Sequence, residues 1–178
     1  MRMEEAKKKL KARGFEVRDA PIPVPTLHTI SKCRKRCESN ECGAYGITWA
    51  CPPGSATPGE CIEMLSGYES AALITRIYEL NPRDMKAAGA AAMQFQDDCR
   101  KAAAALREEG ADIFMMADGR CGYCENCTYP DAECKHPDML VPSISGFGIE
   151  MSDYVKECGR EFSFFDDKAE FFGIMLLR

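Results

Sequence analysis

The chain has 178 residues, 46% of them apolar and 29% charged, with a net charge of −5. That composition excludes a disordered chain, and the acidic balance argues against a nucleic-acid partner. No apolar run is long enough to span a bilayer, and the charged start MRMEEAKKKLKARG has no apolar signal core, so the chain reads as a soluble cytoplasmic protein with no membrane partner. The charge is uneven. Residues 1–37 hold 11 Lys/Arg against 4 Asp/Glu, a balance of +7, and residues 38–178 hold 12 against 24, a balance of −12. A basic arm could dock an acidic partner, although the first helix reads more simply as a solvated face.

The length fits one domain, 1–178. Residues 3–13 read as a charged helix ended by Gly14. Pro21, Pro23 and Pro25 make the rest of residues 1–30 an extended connector, because proline fixes φ and removes a donor. Residues 31–56 read as a first cysteine-rich loop ending in Cys51-Pro52-Pro53-Gly54. Thr57-Pro58-Gly59-Glu60 has the form of a helix start, with Thr57 as N-cap, Pro58 at the first helical position and Glu60 completing a capping box. Residues 70–78 (SAALITRIY) read as a buried strand. A long helix is expected from Asn81-Pro82 to Gly110, with Met85, Ala88, Ala92, Phe95, Cys99, Ala102 and Leu106 on its core face. Residues 111–117 (ADIFMMA) form a second strand, giving a βαβ unit with parallel strands and a right-handed crossover. A second cysteine-rich loop occupies 118–142, Ser152 can cap a helix reaching Cys158, and 171–177 (FFGIMLL) form a last strand. The expected class is α/β, with α+β as the alternative: a small sheet carrying two cluster-binding loops.

Eleven cysteines, an odd number, are unusual here, and in a reducing compartment disulfides are not the default. Histidine is scarce, with only His28 and His136, so a metal site must lean on thiolates. Cys121-x-x-Cys124-x-x-Cys127, followed by Cys134, is the strongest motif. Steps of three let successive thiolates wrap one compact centre, and four thiolates are what a [4Fe–4S] cluster takes. The alternative is structural zinc on three or four of these thiolates, with His136 as a further donor. His136 by itself reads as a surface histidine.

Cys33, Cys37, Cys42 and Cys51 follow one another at steps of four, five and nine. In a polar segment they read as ligands of a second cluster, the alternative being one zinc site plus free thiols. Lys32, Arg34, Lys35 and Arg36 suit the negative charge of a cluster, and equally suit a solvated face. Tyr45 and Trp49 could shield this centre. Cys61, Cys99 and Cys158 align with apolar neighbours and read as packing, Cys61 being the reserve ligand. No phosphate loop, HExxH or GxSxG is present.

With Cys42-x-x-Tyr45-Gly46-x-x-Trp49-x-Cys51-Pro52-Pro53, Cys121-x-x-Cys124-x-x-Cys127-Thr-Tyr-Pro130 and Pro142-Ser143 to Gly148-Ile149, the chain resembles the DUF2284 family of predicted metal-binding proteins. The resemblance runs from about residue 30 to the end. It implies metal binding by both cysteine groups and an anaerobic physiology, and names no reaction. Three functions are open on this reading. The favoured one, since no acid–base constellation demands catalysis, is an electron-transfer or redox accessory protein with one or two [4Fe–4S] clusters and a redox partner protein. Another is an enzyme whose substrate meets an open iron, for which the first group, with its less regular ligand set, is the candidate. The last is a zinc-stabilised interaction module. A three-cysteine centre beside a pocket would speak for the enzyme, and four-cysteine centres near the surface for the carrier.

Overall fold

The computed structural model describes residues 1–178. In chain order the elements are α1 (Met3–Ala12), β1 (Glu16–Ala20), α2 (Leu27–Cys37), α3 (Pro58–Ser66), β2 (Ser70–Glu79), α4 (Met85–Glu108), β3 (Ile113–Ala117), α5 (Met151–Glu157) and β4 (Lys168–Leu177), with single 3-10 turns at Pro137–Met139 and Ser145–Phe147. The helices and strands mix as expected for the α/β class. None of the helices is long and apolar enough to cross a membrane.

The four strands form one sheet in the order β1-β2-β4-β3, and every neighbouring pair is antiparallel. β2 and β3 do run in the same direction around α4, but they are not partners. β4 lies between them and pairs with both, so the βαβ unit is split. The reason lies in β4, whose residues from Phe172 to Leu177 are all buried. Such a strand belongs in the middle of a sheet covered on both faces, and an edge position would expose it.

Both faces are covered. On one, Ala6 and Leu10 of α1 and Phe95, Cys99, Ala102 and Leu106 of α4 pack on Ala72, Ile74, Met115 and Met175. On the other, Ile30 of α2, Cys61 and Leu65 of α3 and Tyr154 and Val155 of α5 pack on Leu73, Met116, Ile174 and Leu176. Alternate residues of β2 thus feed opposite faces, which is why its sequence is a continuous apolar run.

Several local expectations change. The proline-rich connector contains β1, an edge strand paired with β2, and its prolines begin only after the last ladder residue. The helix α1 is not wholly solvated: its apolar stripe docks on the sheet, and the buried Lys7 donates to Asp19 at 2.7 Å. The first cysteine segment is not all loop either. Thr26 and Thr29 form a reciprocal capping box that starts α2, and this helix carries Cys33 and Cys37. Elsewhere α3 begins as expected, on the Thr57–Glu60 capping box. The helix α4 starts at the N-cap Asp84 rather than at Asn81, and Met85 is exposed rather than core. The helix α5 begins after Glu150, with no side-chain cap from Ser152.

Candidate metal centres

The second cysteine loop starts where β3 leaves the sheet. Asp118 still pairs with β4, its N–H donating to Phe172 O and its carboxylate accepting from Phe172 N, both at 2.8 Å. Gly119 then turns the chain across α4. Its φ is 88°, and a Cβ there would lie 2.3 Å from Ala92 O, so only glycine passes. Beyond it, Cys121, Cys124, Cys127 and Cys134 all line one small cavity, together with Trp49, Tyr123 and His136. All four cysteines are half-exposed. The enclosed space is about 20 Å³, room for roughly one water. As placed, no three His, Cys, Asp or Glu side chains gather tightly enough to hold a single ion, so these thiols ring a space rather than converge on a point.

The loop is clamped from α4. Gln96 donates to Gly119 O at 3.3 Å and to Val141 O at 3.1 Å, holding both ends of the loop. One turn on, Arg100 is 1% exposed and fully engaged. It donates to Met139 O at 3.0 Å, to Asp97 at 2.9 Å, to Gln96 Oε1 at 2.5 Å and to Cys121 Sγ at 3.5 Å. The guanidinium thus places a fixed cation beside Cys121. That donor set, four thiols with a buried cation against one of them, fits a thiolate-ligated metal centre, whose net negative charge such a cation offsets.

The first group is built differently. Cys37 ends α2, Cys42 is exposed in the loop that follows, and Cys51 is buried just before Pro52. These three line a cavity of about 860 Å³ between the first loop, the first turns of α4 and the first half of β4. Cys33 lies one helical turn before Cys37, is 3% exposed and does not line that cavity. Its thiol receives the Arg36 guanidinium at 3.7 Å, and Arg36 is in turn ion-paired with Glu150. Burial raises the pKa of the Cys33 thiol, against Arg36. Burial also pushes the Cys51 thiol up to about 11, opposed by a hydrogen bond with the Ser143 side chain.

Residues 142–149 brace this group. Ser143 N donates to Ala50 O at 2.8 Å, and the Cys37 thiol reaches Ser145 Oγ at 3.7 Å. Gly148 has φ 75°, and a Cβ there would stand 2.5 Å from Ile30 Cγ1, so the turn packs directly on α2. The Pro-Ser…Gly-Ile stretch therefore positions α2 and its thiols. Trp49 joins the two groups. It sits two residues before Cys51, yet it lines the second group's cavity, packs edge-on against Tyr129 and donates to Ala132 O at 3.1 Å. Its place is beside the second centre, not the first, whereas Tyr45 does line the first cavity.

The remaining cysteines stand apart from both cavities. Cys61 is fully buried, with Arg34 at 3.4 Å, and Cys99 is fully buried on the core face of α4. Cys158 packs against the core beside α5. His136 packs edge-on against Tyr123 at the rim of the second cavity.

Sequence reasoning missed Gln96, Arg100 and Asp118. For the first two a signal existed: they are four residues apart on α4, flanking the apolar stripe, and a polar pair there needs a partner. Asp118 left no such trace. It lines the large cavity, and burial pushes its carboxyl up to about 6, with the Phe172 N–H pulling the other way. From about 3.8 to 6 the folded chain holds a proton that the unfolded chain has released, so stability falls as pH rises across that window. Asp118→Asn keeps an acceptor for Phe172 N–H and removes the penalty. In urea unfolding at pH 7.5 it should gain up to about 3 kcal/mol, and it should delete a protonated-carboxyl infrared band that titrates near pH 6. An unchanged midpoint together with an unchanged band would contradict that assignment.

A family model for predicted metal-binding proteins (DUF2284) matches residues 20–177, nearly the whole chain, and the chain belongs to that family. No curated protein and no solved structure matches it.

Proposed function

We propose that this DUF2284 protein is a two-centre iron–sulfur protein: one closed [4Fe–4S] cluster on Cys121, Cys124, Cys127 and Cys134 that passes electrons, and one cluster on Cys37, Cys42 and Cys51 with an iron open to a small molecule. The observation that carries it is the unequal placement of the two groups, four cysteines around a surface cavity and three on the wall of a chamber of about 860 Å³. When bound, such clusters supply one-electron chemistry, and an iron without a protein thiolate supplies a Lewis-acid site. The chain's own residues do the rest. Arg100 balances charge at Cys121, Ser143 and Ser145 hydrogen-bond thiols of the first group, and the Trp49 side chain spans from the Cys51 loop to the second cavity. The chemistry therefore lies closer to a redox enzyme than to a simple carrier, with a redox partner protein docking near the half-exposed second group.

One observation favours a second reading for that group. Its enclosed space of about 20 Å³ holds roughly one water, far less than a four-iron cluster, so structural zinc on the same four thiolates would need the smaller rearrangement of thiols that do not yet converge. The CxxCxxC spacing speaks for the cluster instead. Electron paramagnetic resonance of the dithionite-reduced protein, with and without cyanide, tests the two-centre reading. Two cluster signals are expected, with cyanide shifting one of them. A single signal would remove one cluster, and two signals that both ignore cyanide would remove the open iron.

A further inference from the structure

The large cavity has a composition that its place in an acidic chain does not explain. Two cations line it, Lys86 from the first turn of α4 and Arg120 from the start of the second loop, and neither is paired with a carboxylate. Arg120 is held at one nitrogen only, its Nε donating to Met93 Sδ at 3.4 Å, which leaves both terminal nitrogens of the fork free. Of the two acids on the wall, Glu170 is already ion-paired with Arg160, and the Asp118 carboxylate is tied to Phe172 N. Two unpaired cations thus face one unpaired carboxylate, a balance of +1 on the wall's side chains before any cluster is counted, although the chain as a whole carries −5.

The rest of the wall is of two kinds. Along α4, Ala88, Gly89 and Ala92 remove side-chain bulk and leave a trough beside the helix. Opposite, Phe162 and Phe172 stack at 5.6 Å between ring centroids, and Phe162 and Phe171 supply flat apolar surface to the chamber. A site that is mostly apolar, with a few convergent polar groups, is the usual form of a small-molecule pocket. A planar fork without a partner is the side chain best suited to take a carboxylate or phosphate in a bidentate manner.

We infer that this cavity binds a small amphiphilic anion, its carboxylate or phosphate held by Arg120 and Lys86, and its apolar body lying in the trough between α4 and the Phe162–Phe172 stack. As a statement about substrate the inference rests on the open-iron reading. As a statement about binding it can fail alone.

The test is calorimetric titration of the anaerobically purified holoprotein with 4-phenylbutyrate and, separately, with its uncharged amide. Both cations are solvent-exposed, so Arg120→Gln with Lys86→Gln should keep the parent iron content. The acid should bind the parent about tenfold more tightly than the amide does, and the double variant should lose that preference while still binding the amide. Equal binding of acid and amide, no binding of either, or a double variant that binds the acid as the parent does would each overturn the inference. The same samples in the resonance experiment separate the two claims. Cation-dependent binding that leaves both cluster signals unmoved keeps the anion site and removes the open iron. A signal shift that survives in the double variant does the reverse.

Discussion

Replacing Cys37, Cys42 or Cys51 by alanine, one at a time, should in each case remove about four iron and four sulfide per chain, while Cys33→Ala should leave the metal content unchanged. The sequence offers all four cysteines as ligands, although only Cys42 and Cys51 fall within the motif that carries the family resemblance. The fold does not, because Cys33 faces inward from α2, 3% exposed, with Arg36 as its partner, while the other three share a cavity. A cluster needs its ligands on one side of one space. Losing the Cys33 sulfur costs packing on the order of 1 kcal/mol, which a chain of this size tolerates. The signal of the second centre provides the internal control that each variant has folded. If Cys33→Ala also emptied the first centre, four thiolates would close it and no iron would be open.

Arg100→Met should be a strongly damaging change outside the cysteines, lowering the stability of the holoprotein in urea by about 2–5 kcal/mol. The substitution strands Gln96 Oε1 and Met139 O, which lose a buried donor, and leaves Asp97 with Lys101 alone at 2.7 Å. A buried acceptor without a partner bears its full desolvation cost. The same change removes the cation 3.5 Å from Cys121 Sγ, so a cluster there should become harder to reduce, its potential falling while that of the first centre stays put. Arg100→Lys should restore part of the potential but little of the stability, since an ammonium supplies charge without the planar fork. A Met variant with parent stability and two unchanged potentials would contradict the clamp.

Periodic features were legible in the sequence and convergent ones were not. The apolar run of β2, the stripe on α4 and the Thr57–Glu60 capping box each declare themselves within a few residues, because the cause is local. The insertion of β4 between β2 and β3 is a choice among pairings that depends on which strand must be covered on both faces, and no window contains it. Helix α2 was obscured by its neighbours. Prolines on one side and a cysteine-rich loop on the other outweighed a four-residue Thr26–Thr29 cap. At the site, the CxxCxxC loop is local and Cys121 to Cys134 do line one cavity. The division of the first group into three and one follows from the facing of α2, and the clamp by Gln96 and Arg100 joins residues up to 45 positions apart.

Iron, zinc and acid-labile sulfide per chain, measured on protein purified without oxygen, test the central claim most directly. About eight iron and eight sulfide with no zinc is the predicted result. Zinc with no sulfide would contradict it and leave a zinc-stabilised protein without redox chemistry.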